Sequence, residues 1–111
     1  MNISFDDGKL EKQCNDQKVR VKVHGAERAK RLGRRLDDLR AAANLSVMKN
    51  LPGRCHELKQ DRAGQLSIDL DGPHRLIFVP AHNPIPATEN NELDWSKVTA
   101  IRILEIVDYH E

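Results

Sequence analysis

Apolar residues recur with a helical period between Ala26 and Ala43. Their spacings are four, three and four residues, which places their side chains on one side of an α-helix. The residues concerned are Leu32, Leu36, Leu39 and Ala43. Gly33 lies inside the pattern at a cost of about 1 kcal/mol relative to alanine, and close packing of the helix is one explanation for it. A second helical piece, Leu45 to Asn50, is predicted to stop at Leu51-Pro52-Gly53.

The segments before this helix are short. Ile3-Ser4-Phe5 alternates between apolar and polar residues and precedes Asp6-Asp7-Gly8, a pattern typical of a strand followed by a turn. A short helix from Lys9 to Cys14 is expected to follow. Val19 to Val23 alternates with a period of two and, taken alone, predicts another strand.

The pattern changes to a period of two after the proline-glycine stop. Three short runs are separated by turn sequences at 61–64 and 71–73, which indicates an antiparallel meander. The runs are Arg54 to Lys59, Gln65 to Leu70 and Arg75 to Val79. In the middle run the aliphatic residues alternate with Gln65, Ser67 and Asp69, so we expect these three polar side chains to point outward.

The last part of the chain combines a loop and a strand. Residues 80–97 are rich in proline, asparagine and acidic residues and are too long for a tight hairpin. Val98 to Val107 is almost continuously apolar, which is typical of a central strand covered on both faces. This strand carries Asp108, Tyr109 and His110 at its end. The whole succession predicts an α+β fold, in which an N-terminal strand and two or three helices pack on one face of a small, mainly antiparallel twisted sheet.

A chain of 111 residues with 39% hydrophobic and 32% charged residues is expected to form one domain, residues 1–111. The two cysteines, Cys14 and Cys55, do not form the closely spaced pairs of a zinc site, and we interpret both as reduced thiols. No segment resembles a signal peptide or reaches the roughly 20 apolar residues of a membrane span. We therefore expect a cytoplasmic protein that contacts no membrane and needs no metal or cofactor.

The net charge is only +1, but it is unevenly distributed. Between Lys18 and Arg40 nine basic residues stand against three acidic ones, which leaves a local net charge of +6, whereas residues 81–111 contain six acidic and two basic residues. A chain polarised in this way can present a basic face to phosphate groups. A helix face that is simply solvated explains the same pattern.

Few residues are chemically suggestive on their own. His56 is a lone histidine at the edge of a predicted strand, a place where histidines are more often structural than catalytic. His110 follows an apolar strand that is able to hold it in place, and Tyr109 is the only tyrosine of the chain. Taken singly, the last two residues are better explained as the polar end of a strand than as catalytic groups.

Four stretches in the second half of the chain resemble the HigB branch of the RelE toxin superfamily. The order of the motifs agrees throughout, and the likeness covers about half of the chain, from Arg54 onward without the proline-rich loop. The stretches are Cys55-His56-Glu57-Leu58-Lys59-Gln60-Asp61-Arg62-Ala63-Gly64, Leu66-Ser67-Ile68, His74-Arg75-Leu76-Ile77-Phe78 and Asp108-Tyr109-His110.

The resemblance implies the toxin of a type II toxin–antitoxin system, which enters the ribosomal A site and cuts mRNA there. In such a cleavage the ribose 2′-OH attacks the adjacent phosphorus, so one proton must leave the 2′-oxygen and another must reach the departing 5′-oxygen. Histidine suits both transfers because its unperturbed pKa is near 6.5. Arginine and lysine suit the phosphate because they carry fixed positive charge.

The resemblance also assigns these roles to positions of the sequence. The candidate catalytic residues are His56, Lys59, Arg75, Asp108, Tyr109 and His110. The two histidines are the acid and the base, in an order left open, and the lysine and arginine hold the phosphate. The aspartate orients or stabilises a charged group, and the tyrosine stacks on or hydrogen-bonds to a base. Contacts with the ribosomal RNA backbone are expected from Arg28, Arg31, Arg35 and Arg62.

Three positions depart from the pattern of the branch. Asp71 stands where a second basic residue is usual, Glu57 replaces a proline, and Leu66 replaces an aromatic residue. The loop at 80–97 is also longer than the tight hairpin of the branch. An acid near a phosphate site weakens charge stabilisation unless its side chain points away, so a weak, altered or partner-controlled nuclease is also compatible with the sequence.

Two other functions are compatible with the same fold. The superfamily includes ParE-like gyrase poisons, and a catalytically weak chain would act as an interaction module that co-represses its operon. For the main hypothesis the resemblance implies three partners: a HigA-like helix-turn-helix antitoxin, the ribosome and mRNA. Operator DNA would be contacted only through the antitoxin.

Overall fold

The computed structural model describes residues 1–109. Its five strands are β1 (Asn2–Phe5), β2 (His56–Glu57), β3 (Leu66–Asp69), β4 (His74–Pro80) and β5 (Ala100–Asp108). Its helices are α1 (Gly8–Asn15), α2 (Gln17–His24) and α3 (Ala26–Ala41), and 3₁₀ turns form at Leu45–Asn50, Gln60–Arg62 and Trp95–Lys97. The sheet order is β1-β5-β4-β3-β2. Only the β1/β5 pairing is parallel among these strands, and the other three pairings are antiparallel.

The helices pack on one face of this sheet, so the predicted α+β fold class is confirmed. The leucines of the apolar stripe on α3 are fully buried, as their spacing predicted, and they meet aliphatic side chains of β3, β4 and β5. The main contributors to this core are Leu32, Leu36, Leu39, Leu45, Met48, Leu66, Ile68, Leu76, Phe78, Ile101 and Ile103. No helix formed by residues 1–109 has both the length and the apolar surface to cross a bilayer.

The strand predicted at Val19–Val23 is wrong, because this segment belongs to α2. The side chain of Asp16 accepts hydrogen bonds from two backbone N–H groups of the first turn, which is a strong start signal for a helix. Gly25 ends the helix with φ +80, a conformation that glycine adopts without steric cost. The alternating valines do not indicate a sheet face, since Val21 and Val23 remain 40% and 51% exposed.

Gly33 permits the close packing that its position suggested. A Cβ atom at this residue would lie 2.6 Å from Nη1 of Arg20 on α2, which is too close for any unshifted contact. The Arg20 guanidinium also donates a hydrogen bond to the carbonyl of Cys14, at the end of α1. The missing side chain of Gly33 therefore makes room for an arginine that joins all three helices.

Three predictions about the strands need correction. The strand predicted from Arg54 to Lys59 is reduced to the two residues of β2. Ser67 points away from the helices but is fully buried rather than solvent-facing, because other side chains cover this part of the sheet. The strand β5 is internal in the sheet, but it is not covered on both faces throughout, since Arg102 and Asp108 are exposed.

Residues 81–99 form the long connection that the sequence predicted. The connection contains one isolated bridge, between Ala87 and Leu93. It is attached to the sheet by Trp95, whose Nε1 donates to Glu57 Oε2 at 3.0 Å. The ammonium of Lys49 lies 4.5 Å from the centre of the same ring. The loop is thus held at the β2 edge by one aromatic side chain.

Candidate functional site

The strand register places the polar residues of the sheet in two rows on the face away from the helices, called the outer face here. In one row, neighbouring strands place side by side His56, Ser67, Ile77 and Glu105. In the next row they place side by side Asp69, Arg75 and Val107. Successive residues of a strand point to opposite faces, and the intervening residues Leu66, Ile68 and Leu76 belong to the core. The outer face therefore carries two of the predicted catalytic residues, His56 and Arg75.

A cavity of about 380 Å³ opens beside β2 on this part of the molecule. It is lined by His56, Glu57, Leu58, Lys59, Gln60 and Tyr109. The structure thus brings three predicted catalytic residues around one space: a histidine, a lysine and the tyrosine. Nδ1 of His56 lies 2.6 Å from the carbonyl oxygen of Arg54. Because a carbonyl only accepts, this Nδ1 carries the proton, and the neutral ring then has its lone pair on Nε2.

The ring of Tyr109 is held beside this cavity by an arginine. The guanidinium of Arg62 lies 5.0 Å from the ring centre, within the range of a cation–π contact. Nη1 of Arg62 also donates to Gln65 Oε1 at 2.9 Å and to Glu105 Oε2 at 3.0 Å. The backbone N–H of Tyr109 donates to the carbonyl of Pro73 at 3.0 Å, which fixes the end of β5.

Arg75 lies in the second row, and its guanidinium already contacts acceptor groups of the protein. Its Nε is 2.9 Å from Asp69 Oδ1, and its Nη1 donates to the carbonyls of Gly72 and His74 at 2.8 and 2.9 Å. The same Asp69 carboxylate lies 2.7 Å from Nε of Arg54. Only 14% of the Arg75 side chain is exposed. The positive charge of the predicted phosphate-binding arginine is therefore partly offset by Asp69 in this conformation.

The structure directs Asp108 and Tyr109 to different places, although the sequence predicted that both belong to the site. Asp108 pairs with His74, so by strand alternation its side chain is directed to the opposite face from Arg75. Tyr109 lies past the end of β5 and lines the cavity. His110, the other predicted acid–base residue, lies outside the described residues.

Three of the arginines predicted to contact RNA bond to the end of β3 instead of standing free on α3. Arg28 Nε is 2.8 Å from Asp71 Oδ1, Arg31 Nη1 donates to Leu70 O at 3.2 Å, and Arg35 Nε donates to Asp69 O at 3.0 Å. Burial and the neighbouring Arg31 lower the pKa of Arg35. The hydrogen bond from Arg28 lowers the pKa of Asp71. Asp71 is thus directed to α3, away from the outer face, and the carboxylate beside the candidate site is that of Asp69.

Sequence reasoning did not identify Asp69, Arg54, Gln65 and Glu105 as parts of this site. Asp69 was expected to point outward, but nothing local indicates which cations it meets. Arg102 and Glu105 are the two charges in the apolar run 98–107, and a charge in such a strand is a usable signal for a buried or paired side chain. Within residues 1–109, no group of three or more His, Cys, Asp or Glu side chains is arranged to hold a metal ion.

No protein-family model and no curated protein matches the sequence. Solved structures do match. A YoeB/ParE toxin from Agrobacterium tumefaciens has a TM-score of 0.58 at 11% identity, over 99% of this chain and 100% of that chain. The YoeB dimer from Staphylococcus aureus has a TM-score of 0.54 at 21% identity, over 100% of this chain and 98% of that chain. YoeB in a YoeB–YefM complex from the same organism has a TM-score of 0.53 at 20% identity, with the same coverage.

The chain has the fold of these toxins. The superposition extends over essentially the whole length of both chains, so the likeness includes the three helices as well as the sheet. At these identities it concerns the fold alone. The three structures are YoeB or ParE proteins, and the HigB branch in particular stays a prediction from the sequence motifs.

Proposed function

We propose that the chain is the toxin of a type II toxin–antitoxin system and an endoribonuclease that cuts mRNA on the ribosome. The observation that carries this proposal is the cavity at which His56, Lys59 and Tyr109 meet, in a chain with the YoeB/ParE toxin fold. A proton-transfer group, a cation and an aromatic ring are the components that cleavage of a single-stranded RNA requires. The motifs around these residues favour the HigB branch.

In the proposed reaction the 2′-oxygen of a ribose forms a bond to the adjacent phosphorus, and the bond from phosphorus to the 5′-oxygen breaks. The products are a 2′,3′-cyclic phosphate and a 5′-hydroxyl. His56 takes the 2′-OH proton at Nε2, the nitrogen that carries the lone pair when Nδ1–H is donated to Arg54 O. Nε2 is buried in the free chain, so this step requires the imidazole ring to shift when RNA binds. Lys59 stabilises the charge that grows on the phosphate. The proton for the 5′-oxygen comes from the second histidine, His110.

The proposed partners follow from the same assignment. They are a HigA-like antitoxin, the ribosome and mRNA, with operator DNA contacted only through the antitoxin, and the proposed location is the cytoplasm. YoeB from Staphylococcus aureus has been solved in complex with YefM as a toxin–antitoxin heterotetramer, which supports an antitoxin partner for a chain of this fold. The RNA-backbone role of Arg28, Arg31 and Arg35 stays a prediction, because these side chains bond to β3 in the free chain.

The test is cleavage of a defined mRNA by the purified protein, with and without ribosomes. We expect cut message only when ribosomes are present, and 5′-hydroxyl ends on the downstream fragments. His56→Ala should reduce the rate by at least about 100-fold, as for the loss of a general base. The matched control is His82→Ala in the loop, which removes a histidine whose Nε2 accepts from the backbone of Thr99. An equal rate for wild type and His56→Ala would contradict the proposal.

The ion pair between Asp69 and Arg75 favours one alternative, a ParE-like poison of DNA gyrase. A chain whose phosphate-binding arginine already pairs with a carboxylate is a weaker candidate for RNA chemistry than one with a free guanidinium. Stalled replication and intact message after expression of the protein would support this alternative. Cut message with normal replication would support the RNase.

A further inference from the structure

Arg62 is held on three sides by residues of different elements. It belongs to the 3₁₀ turn Gln60–Arg62, yet its guanidinium contacts Gln65 before β3, Glu105 on β5 and the ring of Tyr109 after β5. Only 25% of the side chain is exposed. A hydrogen bond between ionised groups is roughly twice as strong as a neutral one, so the bond to Glu105 fixes the guanidinium against the sheet.

This arrangement differs from what an RNA-backbone contact requires. A residue that binds phosphate through counterion release presents its donors to solvent, whereas Nη1 of Arg62 is shared by two protein acceptors and the guanidinium covers the tyrosine ring. The acceptor Glu105 also offsets the positive charge of Arg62. These contacts point to a role for Arg62 inside the site.

We propose that Arg62 is a positioning residue that holds the Tyr109 ring as a stacking surface for a nucleobase in the cavity beside His56 and Lys59. Gln65 and Glu105 fix the guanidinium, the guanidinium covers one face of the ring, and the ring receives the base beside the reacting phosphate. The ligand class is a single-stranded nucleotide, because stacking needs an unpaired base. This inference rests on the proposed function and specifies how that site selects its substrate.

The physical reason for the arrangement is the position of Tyr109, which directly follows the last residue of β5. A side chain past the last strand loses its order easily unless other groups hold it. The cation–π contact with Arg62 restricts the ring, and the order of the ring is then established before the base arrives. The conformational entropy of the Tyr109 ring is therefore already lost in the free protein. Because binding does not have to restrict the ring again, base stacking contributes more of its free energy to binding.

A double-mutant cycle between Arg62 and Tyr109 tests the proposal. The substrate is an mRNA cut on ribosomes, and the binding probe is a trinucleotide with 2′-O-methyl riboses, which cannot be cleaved. We expect Arg62→Met to raise KM and the trinucleotide Kd about 10-fold, as for the loss of much of one stacked base, with a smaller change in kcat. In the Tyr109→Leu background the same substitution should have no further effect.

Salt dependence separates this role from a phosphate contact. Loss of one phosphate contact lowers the slope of log Kd against log salt concentration by about 1. We expect Arg62→Met to leave that slope unchanged. Additive effects of Arg62→Met and Tyr109→Leu, together with a shallower slope, would overturn the inference in favour of a direct phosphate contact.

Glu105→Gln serves as the second variant, because it keeps the size of the side chain and removes only its charge. It should shift KM in the same direction as Arg62→Met but by less, and thermal unfolding followed by circular dichroism checks that both variants fold. If Arg62→Met fails to fold, a wild-type KM for folded Glu105→Gln sinks the inference. A wild type that neither cuts message nor binds the trinucleotide contradicts the proposed function, whereas an active wild type with an equally active Arg62→Met contradicts only the inference.

Discussion

The carboxylate of Asp69 lies 2.9 Å from Nε of Arg75, on the face of the sheet that carries the candidate site. The same carboxylate is 2.7 Å from Nε of Arg54, so one negative charge is shared by two guanidinium groups. A phosphate that approaches Arg75 therefore meets a cation that already has a counter-ion. Asp69 lowers the positive potential of the site and at the same time keeps Arg75 in place.

Asp69→Asn should strengthen RNA binding and weaken the fold. Removing the carboxylate exposes the charge of Arg75 to phosphate, so the slope of log Kd against log salt concentration should become steeper by up to about 1. The free energy of unfolding should fall by about 1–3 kcal/mol, because a poorly exposed arginine loses its partner. The measurements are RNA titrations at several salt concentrations and urea unfolding.

Asp71→Asn is the matched control for this experiment. It removes the same charge two residues away, but Asp71 pairs with Arg28 on the helix side of the sheet. We expect the RNA affinity and its salt slope to stay at the wild-type values. Equal gains in affinity for the two variants would show that net charge, and not the ion pair of Asp69 with Arg75, controls binding.

The pair of Asp71 and Arg28 should make stability depend on acid pH. The hydrogen bond from Arg28 holds the pKa of Asp71 below its usual value, so the unfolded chain binds this proton more readily than the folded one. The contribution of the pair is then complete above about pH 4, where the unfolded carboxyl ionises, and is lost as the pH falls through the folded pKa. We expect Asp71→Asn to cost about 0.5–1 kcal/mol at pH 7 and progressively less below pH 4. A constant difference down to pH 2 in urea unfolding would contradict this explanation.

Gly33 and Arg20 should be energetically coupled. In a helix without other constraints, glycine to alanine gains about 1 kcal/mol. In this chain the added methyl group meets Nη1 of Arg20 and displaces the guanidinium that bonds to Cys14 O. We therefore expect Gly33→Ala to be more favourable in the Arg20→Ala background than in the wild type, with a coupling of about 1 kcal/mol. Additive free energies of unfolding in the four proteins would show that the contact has no energetic role.

The two cysteines should be protected by burial. Burial raises the pKa of Cys14 to about 11 and that of Cys55 to about 12, and only the thiolate is a good nucleophile. At pH 8 we expect Ellman's reagent to react with the folded protein at least about 100-fold more slowly than with the urea-unfolded chain. Because the folded pKa values lie above the unfolded one, stability should also decline as the pH rises beyond 9. Cys14 is fully buried and Cys55 only partly, so rapid reaction of Cys14 in the folded protein would contradict this explanation.

The sequence alone determined the elements whose patterns depend on short-range spacing. The leucine stripe of α3, the strands β3 to β5 and the long loop were all predictable, because burial of one side of an element imposes its own period. The fold class followed from their order. The α2 segment shows where a period misleads, since the cap at Asp16 and the turn at Gly25 outweighed five alternating residues.

The composition of the site was decided by tertiary structure. The sequence indicated His56, Lys59 and Tyr109, but only the register of β2 to β5 brings the histidine and the tyrosine to one cavity. Nothing in the local sequence tells which of two acids two residues apart, Asp69 or Asp71, lies beside the site. Alternation along β3 and the position of α3 settle this, because they turn one carboxylate to the outer face and the other to a helix. Charges act on their neighbours in space, and the spatial neighbours of these residues are distant in the sequence.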